Sequence, residues 1–488
     1  MFKFLAFFKY KFKLILQNNL VAFLLGIYIS FFLIKKFKKK SNAKIKALVF
    51  SEKRWSQSLD TLDKNKDIEL YKIPDNIFNR INSLFRAKEY YLSLKRTRKR
   101  KNEKRIFLKY KSDHYYVIND KDVLLERKKQ RKFIKVIGYI LKKLLSIDCA
   151  LTCSFYYNQE QEWAGGLTLA KISFITIHKE QSEFDHYHLN GLLDNLEEIN
   201  YKYQGDSIIV ANKRMEELFK KRNMFKNNKI IASGIMKYDD LFKKIKKNKK
   251  KKKEKKKKKK KKKKEKKKII TLFSFFHYLS NIKQTDTGFD RYVEKNLKVF
   301  TGFSANNKEG FTKLFYNSHK VFILEALRNK NCIFYIKPRL YESWWIKRIK
   351  EIVKEVSGKN IDEINNLFIT NKPAYDLINS SVNVIGFNST VLIESVIQGC
   401  KPIIPIFDEA IGKHKKHVFF SKFLNQFSIA SSEEKLSKLI NFYLKKNNIK
   451  KVNLKNIRSF LNYYIYYTKP CSSSRTVQLI KKISYKYQ

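Results

Sequence analysis

Residues 382–405 (VNVIGFNSTVLIESVIQGCKPIIP) read as strand, tight turn, helix, glycine stop and strand. Gly386 permits the turn, because glycine tolerates backbone angles closed to other residues. Asn388, Ser389 and Thr390 follow, and Ser389 or Thr390 can cap the helix behind them. Free N–H groups at a helix N-terminus, aided by the helix dipole, attract anions, and a diphosphate suits that site. Glu394 stands one turn further on, where its carboxylate can accept hydrogen bonds from the ribose of the same nucleotide. Gly399 lies where a helix-terminating glycine belongs. Lys337 and Arg339 flank Pro338 at the end of an apolar run, and a cation pair there would neutralise phosphates. The plainer reading of the first feature is a capped helix with an exposed glutamate. The plainer reading of the second is two more basic residues among 106.

The elements that would position these groups follow from short apolar runs separated by helical patterns. Residues 45–50 (IKALVF) form a first buried strand. A helical pattern over 133–146 leads into an apolar run at 149–155, and a helix over 160–172 feeds a strand at Ser173–Ile177. Ser207–Val210, a helix over 213–221 and a strand over 230–232 complete the first half. The pattern restarts at 269–276 and continues with a helix over 310–328 and strands at 332–336, 367–370, 382–385 and 402–406. Strand–helix alternation predicts an α/β chain with two Rossmann-like domains built on parallel sheets and facing a cleft. The expected units are 1–43, a membrane anchor with basic flanks; 44–242, the first domain; 243–268, a linker; and 269–488, the second domain. Residues 86–111 are basic and irregular and receive no element.

The chain has 488 residues, 43% of them apolar, enough for two cores. Its formal net charge is +62, which suggests nucleic acid at first sight. However, residues 243–268 alone hold 22 lysines against two glutamates, and lysine is spread over the rest of the chain. The excess is therefore expected to be a solvated run and a general bias, with no specific nucleic-acid site. Five scattered cysteines (Cys149, Cys153, Cys332, Cys400 and Cys471) form no CxxC pair and read as reduced thiols. No Walker loop, GxGxxG, HExxH or DxD stands in a convincing place, so neither a metal nor a cofactor is implied. His186 and His188 read as a surface loop, and Trp344 and Trp345 as packing residues.

Residues 14–34 carry no charge and would rise about 31 Å as a helix, one bilayer core. Lysines flank the stretch on both sides, with more after it, so a single-pass anchor with a cytoplasmic C-terminal part is expected. A helix lying in the membrane interface is the alternative.

The 382–405 stretch resembles the donor-binding segment of GT-B glycosyltransferases, particularly those of capsule and surface polysaccharide synthesis. It is also similar to CDP-glycerol glycerophosphotransferases. Residues 174–180 (FITIHKE) resemble the strand that ends in His-Gly in those families. Residues 233–241 (SGIMKYDDL) resemble their Gly-x-Pro-Arg-x-Asp element, keeping Gly234 and Asp239, and 336–339 (IKPR) resemble their Lys-Pro-His-Pro strand end. The resemblance covers about residues 45–470. It implies that His178 takes the place of the histidine that activates the acceptor, through an imidazole whose pKa suits a base near neutral pH. Lys179 and Glu180 stand where the family has glycine, and Glu180 either orients the ring or is itself the base. The resemblance also sets His277, after the first strand of the second domain, on a loop near the donor.

These readings imply a membrane-anchored glycosyltransferase of surface or capsular polysaccharide synthesis. Its partners would be a nucleotide-activated sugar or polyol donor, a glycan or lipid-linked acceptor, and membrane lipids. Three alternatives stay open: a CDP-polyol phosphotransferase of the same fold, a UDP-sugar 2-epimerase-like enzyme, and a non-catalytic membrane protein that binds polyanions.

Overall fold

The computed structural model describes residues 15–36, 44–85, 121–156, 158–178, 190, 193–194, 196–197, 201–245, 267–275, 289–294, 297–303, 310–338, 343–412, 414–445, 456–467 and 471–487. Most of the lysine run, the unassigned stretch 86–111, and three expected site residues (Glu180, His277 and Arg339) lie outside them. So does the His186–His188 pair.

The chain enters through helix α1 (Asn19–Lys36) and then builds the first sheet. Strand β1 (Ile45–Val49), helix α2 (Ser56–Asp63), strand β2 (Ile68–Lys72) and helix α3 (Asp75–Phe85) come first. The long helix α4 (Lys121–Leu145) leads to β3 (Cys149–Thr152), α5 (Asn158–Leu169) and β4 (Ser173–Ile177). Then come β5 (Ser207–Val210), α6 (Lys213–Lys220) and β6 (Lys229–Ala232). All six strands are parallel, in the order β2-β1-β3-β4-β5-β6. The residues of β3, β4 and β5 are buried throughout, which is why those strands read as unbroken apolar runs instead of alternating ones. Phe50, Phe78, Trp163 and Phe174 meet on one face of this sheet, with ring centroids 5.2–5.8 Å from Phe50.

The second sheet begins at β7 (Ile269–Phe273). A ribbon of β8 (Phe289–Glu294) and β9 (Leu297–Phe303) precedes helix α7 (Thr312–Arg328). Strand β10 (Ile333–Lys337), α8 (Ser343–Ser357), β11 (Leu367–Ile369) and α9 (Ala374–Ser380) follow. Then come β12 (Asn383–Gly386), α10 (Val391–Ile397), β13 (Ile403–Pro405), β14 (Ser428–Ala430) and α11 (Glu433–Lys445). This sheet is also fully parallel, in the order β11-β10-β7-β12-β13-β14. Two α/β units built on parallel sheets are thus in place, as the strand–helix alternation predicts.

The chain ends in α12 (Arg458–Ile465) and α13 (Ser472–Ser484). Helix α13 returns to the first sheet, where Ser173 Oγ donates to the Ile483 carbonyl at 3.1 Å and Lys486 pairs with Asp206 at 3.0 Å.

The expected membrane span is corrected. Among the described residues no helix is long and apolar enough to cross a membrane. Helix α1 instead lies along α4. Ala22, Ile29 and Leu33 are buried in the first domain's core, and a Cβ on Gly26 would come within 2.9 Å of Ile140. The apolar inner face of α1 thus has a protein partner.

None of the five cysteines is in a disulfide. Burial pushes the Cys149 thiol up to about 12, which keeps it protonated and unreactive.

Candidate functional site

In open parallel sheets a ligand lies outside the C-terminal strand ends, at the point where strand order reverses. The second sheet reverses between β7 and β12, since β10 and β11 extend to one side and β12, β13 and β14 to the other. At that point Phe273 of β7 is registered with Lys337 of β10 on one side and with Gly386 of β12 on the other. The strand ends therefore bring a lysine, a glycine and the 386–390 turn into one row.

Each member of the row has a local cause. A Cβ on Gly386 would stand 3.3 Å from Leu392 Cδ2, so the glycine allows α10 to close onto the strand. The left-handed residue of the turn is not Gly386, as expected, but Asn388, at φ +44°. Asn388 also clamps the following loop: its Nδ2 donates to the His417 carbonyl and its Oδ1 accepts from Phe419 N–H, both at 2.8 Å. That clamp holds His414 and His417 beside the turn, with ring centroids 5.8 Å apart. Nothing in the sequence had singled out these histidines.

The expected cap differs in detail. Thr390 occupies the cap position with helical backbone angles and makes no side-chain cap bond, while Ser389 Oγ accepts weakly from Val391 N–H at 3.4 Å. Lys337 has its ammonium held below the usual lysine range by burial alone. A dianion arriving at the strand ends would reverse that desolvation penalty.

Glu394 is not a free carboxylate. Lys237, from the helical stretch 237–245 after β6, pairs with it at 3.4 Å, with both side chains about one-fifth exposed. This contact joins the two sheets across 157 residues of chain. Lys237 Nζ also lies 5.0 Å from the Tyr238 ring centroid. The Tyr238 hydroxyl is buried without a hydrogen-bond partner among the described residues. Its pKa is pushed well up by burial first and by the Glu394 charge second.

The two residues kept from the 233–241 resemblance serve the junction. Gly234 has φ +91° and touches the start of α13. Asp239 accepts from Ser472 N–H at 3.2 Å and Ser473 N–H at 2.6 Å, capping α13 with a charge on the favourable end of its dipole. Asp239→Ala should lower unfolding free energy by about 1–2 kcal/mol. Urea titration checks this, and a midpoint equal to the parent's would remove Asp239 from the junction.

The first sheet reverses between β1 and β3. There Ser51, left-handed at φ +51°, and Thr152 both donate to the carboxylate of Glu160, which is fully buried at the start of α5. His178 lies one strand over, just past β4. Its backbone N–H donates to the Ile209 carbonyl at 2.8 Å, and its ring packs 5.1 Å from Phe155 and 5.9 Å from Phe219. The structure thus gathers Gly386, Asn388, Ser389, Thr390 and Lys337 at one switch point and puts His178 near the other, with Lys237–Glu394 between the two sheets. Glu160 carried a sequence signal that went unused: an acid in the first turn of the helix after a buried strand. Lys237 carried none. No group of His, Cys, Asp and Glu among the described residues is arranged to hold a metal.

No protein-family profile and no curated protein matches the chain. Among solved structures, it is similar to UDP-GlcNAc 2-epimerase from Neisseria meningitidis bound to UDP-GlcNAc, at 12% identity and TM-score 0.42, over 90% of this chain and 99% of that one. It is likewise similar to a glycosyltransferase from Rickettsia africae, at 12% identity and TM-score 0.42, over 91% of this chain and 100% of that one. A third is MurG from Acinetobacter baumannii, at 10% identity and TM-score 0.37, over 90% of this chain and 99% of that one.

Proposed function

We propose that the chain is a GT-B-type glycosyltransferase of surface or capsular polysaccharide synthesis, working at the cytoplasmic face of a membrane. The observation that carries the reading is the row at the second switch point: Lys337, Phe273 and Gly386 in register, with the 386–390 turn and α10 behind them. The donor's diphosphate sits against the turn and the Lys337 ammonium, and its ribose reaches Glu394. The acceptor, a glycan or a lipid-linked sugar, lies at the C-terminal ends of β1, β3 and β4. His178 there takes the proton of the acceptor hydroxyl. The acceptor oxygen bonds the anomeric carbon while the bond from that carbon to the diphosphate breaks. The nucleoside diphosphate leaves, stabilised by fixed dipoles and cationic side chains.

The test is a thermal-shift screen against UDP, CDP and GDP and their sugar or polyol conjugates, since a ligand that binds only the folded state raises its melting temperature. A shift with one nucleotide class and its sugar conjugate supports the reading. A shift confined to CDP-polyols moves the reaction to polyol phosphate transfer, and no shift with any compound removes the donor site.

Lys337→Met gives two effects of opposite sign. The desolvated ammonium is an unfavourable feature of the free protein: because the unfolded chain holds that proton more tightly, its cost is fully present below the depressed folded pKa and vanishes as pH rises through the ordinary lysine value. The variant therefore melts higher than the parent at neutral pH. It also binds the nucleotide on the order of tenfold more weakly, through loss of a charge-assisted phosphate contact. A variant that binds as well as the parent would exclude Lys337 from the donor site.

A further inference from the structure

Helix α1 is apolar on the side it buries and equally apolar on the side it does not. Leu20, Phe23, Leu24, Tyr28, Phe31 and Ile34 recur at helical spacing along its outer face, with Leu20 67% and Phe31 65% exposed. No charged residue interrupts that stripe. A helix apolar all round is normally enclosed on all sides, and among the described residues α1 is enclosed on one. Beside it, α4 carries exposed Lys128, Lys132, Lys135 and Lys143, while its one described acid, Glu126, is buried. Tyr139 is 54% exposed among these lysines, and Lys143 Nζ lies 5.6 Å from its ring centroid.

We infer that the outer face of α1, with the lysine-bearing face of α4, is a docking surface for an anionic lipid bilayer, and that α1 lies flat in the interface without crossing it. The charges select the occupant. A second copy laid on the same face would bring two lysine rims together, whereas anionic headgroups neutralise the rim while acyl chains cover the stripe. Tyrosines at the boundary fit the headgroup level, where an aromatic ring can stay half wet. Because the stripe is exposed, substituting it leaves the core of the first domain intact. The inference rests on the membrane location proposed above and not on the donor chemistry.

The test uses the full chain in vesicle flotation, with phosphatidylcholine vesicles and with mixed phosphatidylcholine–phosphatidylserine vesicles. The parent should float with the mixed vesicles, less with the neutral ones, and less with either as salt rises. Leu24→Asn with Phe31→Asn should lower bound protein on the order of tenfold or more with both vesicle types. Lys132→Glu with Lys135→Glu should erase the preference for the anionic ones. The Leu24/Phe31 variant's nucleotide thermal shift, matched to the parent's, shows that it is folded. If neither protein responds to any nucleotide, the donor reading fails while matched melting curves keep the surface test valid. Equal flotation of parent and Leu24/Phe31 variant overturns the inference, as does failure of the parent to float. A concentration-dependent dimer that Leu24→Asn/Phe31→Asn dissolves, without vesicle binding, also overturns it and makes the face a contact between copies.

Discussion

Gly234→Ala lowers the stability of the folded chain by roughly 3 kcal/mol, the largest single-residue effect expected outside the cores. Two independent costs add. The backbone at 234 has φ +91°, a conformation that L side chains rarely adopt, which costs about 1–2 kcal/mol. The methyl group also has nowhere to go. It would stand 2.3 Å from Ser472 Oγ, 2.7 Å from Arg475 Nη2 and 3.0 Å from the Ile465 carbonyl oxygen. The first two can swing aside, but only by breaking bonds that hold the junction: Arg475 Nη2 donates to the Ser233 carbonyl at 2.6 Å and to the Tyr466 carbonyl at 2.8 Å. The third is backbone and cannot rotate away. The melting temperature should fall by about 5 °C or more. Adding Ser472→Ala should recover only part of the loss, since it removes one of the three contacts. An unchanged melting temperature in Gly234→Ala would mean that α12 and α13 do not return to the first domain as described.

That result concerns a glycine the sequence had marked, by resemblance, as part of a short closing element, and it shows what sequence can and cannot convey. Buried parallel strands were legible because a run such as SFITI or SIIV has no polar alternation to hide it. β2 (IELYK) was missed because Glu69 and Lys72 break the run, and it became a strand only through its pairing with β1. Helices α8 and α11 are lysine-rich and amphipathic, and in a chain so rich in lysine their patterns do not stand out from the background. The candidate-site residues of 382–405 were legible as a contiguous segment because the turn, glycine and helix follow one another directly. The meaning of Gly386 was only half legible: sequence offers a glycine for a turn, but the turn strain falls on Asn388 and the glycine serves the approach of Leu392. Contacts that join distant segments were not legible at all. Lys237–Glu394 and Asp239–Ser473 exist only once two sheets and a returning helix are in place. The membrane-crossing span was misread for a similar reason. An apolar stretch of bilayer length looks the same from its sequence whether lipid or α4 covers its inner face.

Glu394→Ala should weaken nucleoside diphosphate binding by up to about a hundredfold and leave inorganic diphosphate binding unchanged. A carboxylate that accepts from ribose hydroxyls makes charged hydrogen bonds, each worth about 1.5–3 kcal/mol. Against that stands the resident partner. Lys237 holds only Glu394 Oε1, at 3.4 Å, and leaves the other carboxylate oxygen to a ribose; both groups are partly solvated, so the pair is worth about 1 kcal/mol or less. The net loss is therefore set by the ribose and not by the ion pair, and Lys237→Met should tighten nucleoside diphosphates by a few-fold at most. Comparing ligands separates the roles within the site. Glu394→Ala discriminates against ligands that carry ribose, whereas Lys337→Met weakens UDP and inorganic diphosphate alike, because its contact is with phosphate. Calorimetric titration of the parent and the three variants with both ligands decides the matter. If Glu394→Ala loses inorganic diphosphate as much as UDP, Glu394 acts by holding the two sheets together through Lys237, and the ribose must be sought elsewhere along the β7–β12 switch point.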